Sequence, residues 1–166
     1  MKTLLLLRHG KSSWKSSDLP DHDRPLKKRG RKAAERMGRL LLELDLMPEH
    51  IVTSSANRAI ETTQLVIKGS RYYRTVDVAA ALYHADPDTL AGVVANSPSH
   101  AERVLVVGHN PGLADWLKLL TGQESEFPTA ALAQIELPIA AWSDLTAATR
   151  GNLKGLWIPR QLPDAS

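Results

Sequence analysis

The sequence contains no cysteine, which excludes disulfide cross-links, thiolate nucleophiles and cysteine-bound zinc, and fits a reducing compartment. Aromatic residues make up only 5% of it, too few to interleave with basic side chains as stacking platforms for nucleic acid. No apolar run comes near the roughly 18–20 residues needed to span a bilayer. The apolar stretch near the N-terminus is only Leu4 to Leu7. That is shorter than the roughly 7–15 residues at the heart of a secretion signal, and no small-residue cleavage site follows. The expectation is a cytoplasmic protein that engages neither membrane nor nucleic acid.

What is present describes an ordinary globular chain. Its 166 residues suffice for one domain, 1–166, and one sizeable core, with 43% hydrophobic and 23% charged residues. The formal charge is +3, and the densest basic cluster is Lys27, Lys28, Arg29, Arg31 and Lys32. Such a run reads as a solvated face. The balance suits an anionic substrate or an acidic protein partner better than a polyanion. The sequence assigns no oligomeric state.

Short apolar runs alternate with amphipathic stretches. Leu4–Leu7 and Val104–Val107 read as strands covered on both faces. Ile51–Ser54, Thr75–Ala79, Ala133–Leu137 and Leu153–Ile158 supply four more. Between them, Gly30–Leu46 has helical period, with Ala33, Ala34, Met37, Leu41 and Leu44 on one face and Pro48 as the stop. Further helices are predicted at Arg58–Lys68, after the cap-plus-proline pair Asp86-Pro87, and from Asn110-Pro111 to Gly122. This alternation predicts a three-layer αβα sandwich with a largely parallel sheet. Ser12–Asp23 and Ile139–Asn152 are the expected irregular insertions.

Ligands of open α/β sheets bind outside the carboxyl ends of the strands. Three such ends carry Arg8-His9-Gly10, Ser54-Ser55-Ala56-Asn57-Arg58 and Gly108-His109-Asn110. Two histidines and two arginines therefore converge on one edge. Guanidinium groups grip phosphoryl oxygens with bidentate, charge-assisted bonds that lysine does not reproduce. A neutral imidazole offers a lone pair for in-line attack, and a second imidazole adds a donor beside the transferring group. The set suffices for phosphoryl transfer without a metal, and carboxylates at metal-ligating spacing are missing beside the two histidines.

These residues resemble the histidine phosphatase superfamily, whose fold is phosphoglycerate mutase-like. Within it the chain is similar to the SixA-type phosphohistidine phosphatases. The similarity rests on Asp23-Arg24-Pro25-Leu26 before Gly30, Leu82-Tyr83, Val107-Gly108-His109-Asn110-Pro111 and Pro159-Arg160. The resemblance implies that His9 is the nucleophile that becomes phosphorylated. It implies that Arg8 and Arg58 bind the phosphoryl oxygens, that His109 completes the pocket, and that Arg24 adds a phosphate contact. No cofactor is implied. Partners would be a phosphohistidine-bearing signalling or phosphotransfer protein, or a small phosphate ester.

The chain departs from the phosphoglycerate mutase branch. That branch shares Gly10, Ser12 and Trp14 but has asparagine where Lys15 stands, and a glutamate acid after the third strand. Here that region reads Leu82-Tyr83-His84-Ala85-Asp86. An alkoxide leaves poorly without an acid, whereas a phosphoramidate nitrogen is protonated more easily. The sequence therefore favours phosphohistidine, with a small-molecule phosphomonoesterase using Asp86, Asp88 or His84 as acid, or an idle phosphate-binding module, as alternatives. Blander roles are also open: Arg58 pairing only with Glu61, Arg24 anchoring a loop, and Trp14 either lining the entrance or covering the loop. His22, His50 and His100 are expected in solvent, and Trp116, Trp142 and Trp157 in packing roles.

Overall fold

Leu4, Leu5, Leu6 and Leu7 are all fully buried in a computed structural model of the chain, which describes residues 1–15 and 18–163. They lie in strand β1 (Lys2–Arg8), with β2 (His50–Ser54), β3 (Thr75–Ala79), β4 (Arg103–Gly108), β5 (Leu132–Leu137) and β6 (Asn152–Trp157) forming one six-stranded sheet. The strand order is β3-β2-β4-β1-β5-β6. β3, β2, β4 and β1 run parallel, β5 pairs antiparallel with β1, and β6 pairs antiparallel with β5.

Successive side chains of a strand point to opposite faces, so a strand that is apolar throughout must be covered on both. Leu4, Leu6, Val104 and Val106 pack with Leu90, Val94, Leu113 and Trp116, from helices α3 (Pro87–Val94) and α4 (Gly112–Thr121). Leu5, Leu7, Leu105 and Val107 pack with Met37, Leu41 and Val66, from α1 (Lys28–Glu43) and α2 (Asn57–Ser70). This is the expected three-layer sandwich. Among the described residues no helix is long and apolar enough to cross a membrane.

The end of α1 and the start of α4 differ from expectation. α1 stops at Glu43, well before Pro48, because Asp45 adopts a left-handed φ of 56°. Leu46 N–H then reaches back to Leu41 C=O at 2.9 Å and Asp45 N–H to Leu42 C=O at 3.2 Å, a Schellman cap with aspartate in the usual glycine position. Leu44 falls outside the apolar face and is 37% exposed. At α4, Pro111 is the cap rather than the first helical residue. Asn110 nevertheless serves the helix start, its Oδ1 accepting from Ala114 N at 3.2 Å while its Nδ2 donates to Phe127 C=O at 2.8 Å. Gly122 closes α4 with φ 73°, as expected. Trp116 and Trp142 are buried, and Trp157 is half-buried.

One contact fixes the segment that leaves β1. A Cβ on Gly10 would come within 2.7 Å of the Gly30 carbonyl oxygen, and a Cβ on Gly30 would strike the Lys11 backbone. Lys27 N–H also donates to Lys11 C=O at 2.8 Å. The first turn of α1 is thus pressed against residues 10 and 11, an approach only glycine permits. The spans expected to be irregular, Ser12–Asp23 and Ile139–Asn152, are so apart from a Ser12–Leu26 bridge, short 3₁₀ turns at Asp21–Asp23 and Trp142–Asp144, and Asn152, which opens β6; Ser16 and Ser17 lie outside the described residues.

Candidate active site

Register brings the chemistry together. Arg8 pairs with Gly108 across β1 and β4, and His9 N–H donates to Gly108 C=O at 3.0 Å. His9 and His109 therefore leave adjacent strand ends, with ring centroids 5.1 Å apart. β2 lies on the other side of β4 and runs into α2, which carries Arg58 in its first turn.

His9 is buried, with Nδ1 2.7 Å from its neighbour's carbonyl, Gly10 C=O. A carbonyl only accepts, so Nδ1 carries the hydrogen and Nε2 keeps its lone pair. Burial pushes the imidazole down to about 4. The Gly10 bond opposes this, and the charges of Arg58, Arg8 and Arg24 reinforce it. His9 is neutral at pH 7.

His109 Nε2 lies 2.7 Å from Ser54 Oγ. That hydroxyl already accepts from Ala56 N–H at 3.2 Å, and Ser54 is fully buried. Its own hydrogen is satisfied by donating to Nε2, which places the His109 hydrogen on Nδ1. Among the described residues Nδ1 is a buried donor without a protein acceptor. Burial, then His9, Arg58 and His84, push this ring down to about 3, with Asp21 opposing.

Two of the arginines are held by one carboxylate. Arg58 Nη1 donates to Asp21 C=O at 2.8 Å and Nη2 to Asp21 Oδ2 at 3.1 Å, while Arg24 Nε donates to Oδ1 at 3.1 Å. The Tyr83 hydroxyl donates to Oδ2 at 2.5 Å. Chiefly through that bond, with help from Arg58 and Arg24, the Asp21 carboxyl falls to about 2 against the opposing effect of burial. Arg58 does not pair with Glu61, which accepts from Leu26 N–H instead. The Arg24 guanidinium stacks 3.4 Å from the Trp14 ring centroid. Arg8 Nη1 donates to Phe127 C=O at 3.4 Å, and burial with the Arg58 charge lowers its pKa. Thr62 Oγ1 joins two parts of the site, donating to Arg58 C=O at 2.7 Å and accepting from Gly10 N–H at 2.9 Å.

Arg8, His9, Arg24, Arg58 and His109 all line one cavity of ≈ 260 Å³, with Lys11, Ser12, Trp14, His84, Asn110 and Thr129. None of these is a carboxylate. Among the described residues Arg8 Nε, Arg24 Nη1, Arg58 Nε and His109 Nδ1 are buried donors with no protein acceptor. So many cationic and N–H donors around one small space suit a multiply charged anion. Among the described residues no group of three or more His, Asp or Glu side chains stands ready to hold a metal ion.

Of the three acid candidates, only His84 reaches the cavity. Asp86 is exposed and occupied, its Oδ1 accepting from Thr89 N at 2.9 Å as the α3 cap, and Asp88 is exposed on the same helix. Two histidines expected in solvent are not free. His22 Nε2 lies 2.9 Å from Ser55 Oγ, with the ring edge-on to Tyr83. His50 is 3% exposed because β3 covers the start of β2, where Thr75 Oγ1 and Asp77 meet its ring. His100 is exposed, as expected.

A family model described as the histidine phosphatase superfamily (branch 1) matches residues 4–92. The chain belongs to that superfamily. SixA of Agrobacterium tumefaciens superposes with a TM-score of 0.82 at 26% identity, covering 95% of this chain and 98% of its own. This histidine phosphatase is accordingly of the SixA type, and the expected phosphoglycerate mutase-like fold is present. An uncharacterised chloroplastic protein of Arabidopsis thaliana is 27% identical over 95% of this chain and 78% of its own length. The 2,3-bisphosphoglycerate-dependent phosphoglycerate mutase of Streptomyces avermitilis is 41% identical, but over only 40% of this chain and 27% of its own. Family and neighbours together make this chain a phosphatase, a hydrolase of phosphoryl groups.

Proposed function

We propose that this histidine phosphatase removes the phosphoryl group from phosphohistidine on a signalling or phosphotransfer protein, through a covalent phospho-His9 intermediate. His9 Nε2 attacks phosphorus as the bond to the substrate's imidazole nitrogen breaks, and that nitrogen takes up a proton. Arg8 and Arg58, joined by Arg24, hold the phosphoryl oxygens. The Nδ1–H of His109 donates to the same group. Water then attacks phospho-His9, its P–N bond breaks, and inorganic phosphate leaves.

The observation that carries this reading is the lining of the cavity, which lacks a carboxylic acid. Asp21, the carboxylate gripped by Arg24 and Arg58, is ionised far below neutral pH and has no proton to give. An alkoxide leaving group needs that proton, whereas an imidazole nitrogen leaves with far less help. The SixA likeness supports the same substrate class. The test is to offer the pure protein a phosphohistidine peptide and a panel of small phosphomonoesters. Phosphohistidine is expected to turn over faster, and faster ester hydrolysis would overturn the reading.

A second reading, a small-molecule phosphomonoesterase, is favoured by one observation. His84 lines the cavity, its ring 3.9 Å from that of Tyr83, where it can supply the proton an ester needs. Under that reading His84→Gln removes ester hydrolysis and spares phosphohistidine. Rapid-quench labelling followed by intact mass separates both readings from a non-catalytic module, which would form no phospho-His9.

A further inference from the structure

A second, larger concavity of ≈ 790 Å³ adjoins the catalytic cavity, sharing Lys11 and Thr129 with it. One side is α1, from which Arg29, Lys32, Arg36 and Arg39 face it. Their three- and four-residue spacing puts them in one stripe, about 15 Å long at the helical rise. Arg160 faces the stripe, and the apolar lining includes Ala33, Ile158 and Leu162. Glu35 is the one acid in the lining, and it is already engaged by Arg39 at 3.9 Å and Lys68 at 3.8 Å. Glu43 pairs with Arg36, and Glu126 with Arg160. Lys11, Arg29 and Lys32 are exposed and form no ion pair among the described residues.

We infer that this groove docks an acidic protein surface next to the phosphohistidine being processed. The inference rests on the phosphohistidine reading and names the kind of protein that presents the phosphoryl group. Three observations carry it. The unpaired cations lie at the end of the stripe nearest the catalytic cavity, so they meet whatever flanks the phosphoryl group. The stripe is longer than a small phosphate ester held at His9 could follow, so its complement belongs to a macromolecule. The groove is also pinned to the nucleophile loop, because Gly30 in the first turn of α1 packs on Gly10 and Lys11. A partner seated on α1 is therefore in fixed register with His9. Exposed charges of this kind act on encounter and are screened by salt.

The experiment uses two synthetic peptides, each with one phosphohistidine, that differ only in carrying glutamate or glutamine at the flanking positions. The protein is compared with its Arg29→Glu/Lys32→Glu double variant, both substitutions on an exposed helix face, with a thermal melt to confirm folding. The wild type should favour the glutamate peptide by roughly tenfold in kcat/KM at low salt, and lose that preference by about 0.5 M salt. The double variant should lose the preference at low salt while its turnover of free phosphohistidine stays unchanged. Equal kcat/KM for the two peptides in the wild type, or a preference that survives the double substitution, would overturn the proposal. Fluorescence anisotropy of the unphosphorylated glutamate peptide reads the groove separately from the chemistry. Tighter binding to wild type than to the double variant, with no phosphohistidine turnover by either, would remove the proposed substrate but keep the acidic partner. Equal binding would remove the groove.

Discussion

The Arg58 guanidinium donates twice to Asp21, at 2.8 Å to its carbonyl and at 3.1 Å to its carboxylate. Asp21 also takes Arg24 and the Tyr83 hydroxyl. It is thus a positioning residue that aims two guanidinium groups and offsets part of their charge. Asp21→Asn should lower kcat about tenfold, as expected for loss of a group that orients a binding side chain. With the offsetting charge gone, inorganic phosphate should inhibit severalfold more tightly. Steady-state kinetics with product inhibition reads both. Unchanged kcat together with unchanged phosphate inhibition would remove Asp21 from the site's workings.

His9→Ala should leave no turnover above background and no covalent phosphoenzyme in a rapid-quench mass measurement. Arg8→Lys should cost about 100-fold or more in kcat, because a point charge replaces a bidentate fork at a group whose charge is spread over three oxygens. A lysine variant near wild-type rate would show that Arg8 does not grip the phosphoryl group.

Protonation gives a prediction of different kind. His9 sits at about 4 and His109 at about 3, both below the usual imidazole value of 6.5, with His50 lowered as well. The unfolded chain binds protons on these rings below about pH 6.5, while the folded chain resists until about pH 4. Between those values the unfolded state holds more protons, so stability must fall as pH falls and is fully present above about 6.5. Urea denaturation from pH 7 to pH 4 should show the fall. Histidine proton shifts should show two rings still neutral at pH 5, and added inorganic phosphate should raise the midpoint of His109 through its charge. A His9 midpoint near 6.5 would contradict the geometry.

Ser54 Oγ is the sole protein partner of His109 Nε2 among the described residues. Ser54→Ala should cost about 1 kcal/mol of stability. It should also lower kcat by roughly 10–100-fold by freeing the ring to change tautomer. Threonine at the same position should recover most of the rate. A merely structural role would lower stability without changing kcat or the effect of threonine.

The strand ends that carry the candidate site are legible because two features coincide in the sequence: continuous apolar runs mark strands buried on both faces, and titratable residues follow them directly. His9 and His109 are found that way, and Arg58 four residues past the end of β2. Asp21 and Ser54 are not. Asp21 lies in a loop without periodicity, and its importance comes from folding back 37 positions onto Arg58. Ser54 is ordinary at a strand end until the parallel pairing of β2 with β4 sets it beside His109. His50 misled for the same reason, since its polar neighbours in sequence say nothing about the strand that comes to cover it. The early end of α1 depends on a left-handed aspartate that local pattern does not announce.

Trp14 is 71% exposed while Trp116 and Trp142 are almost wholly hidden. Stacked on Arg24 at the rim of the cavity, it gives the enzyme its own optical reporter. Iodide should extinguish the red edge of the emission and leave the buried indoles glowing, and an anion that draws Arg24 inward should shift that edge without any added label.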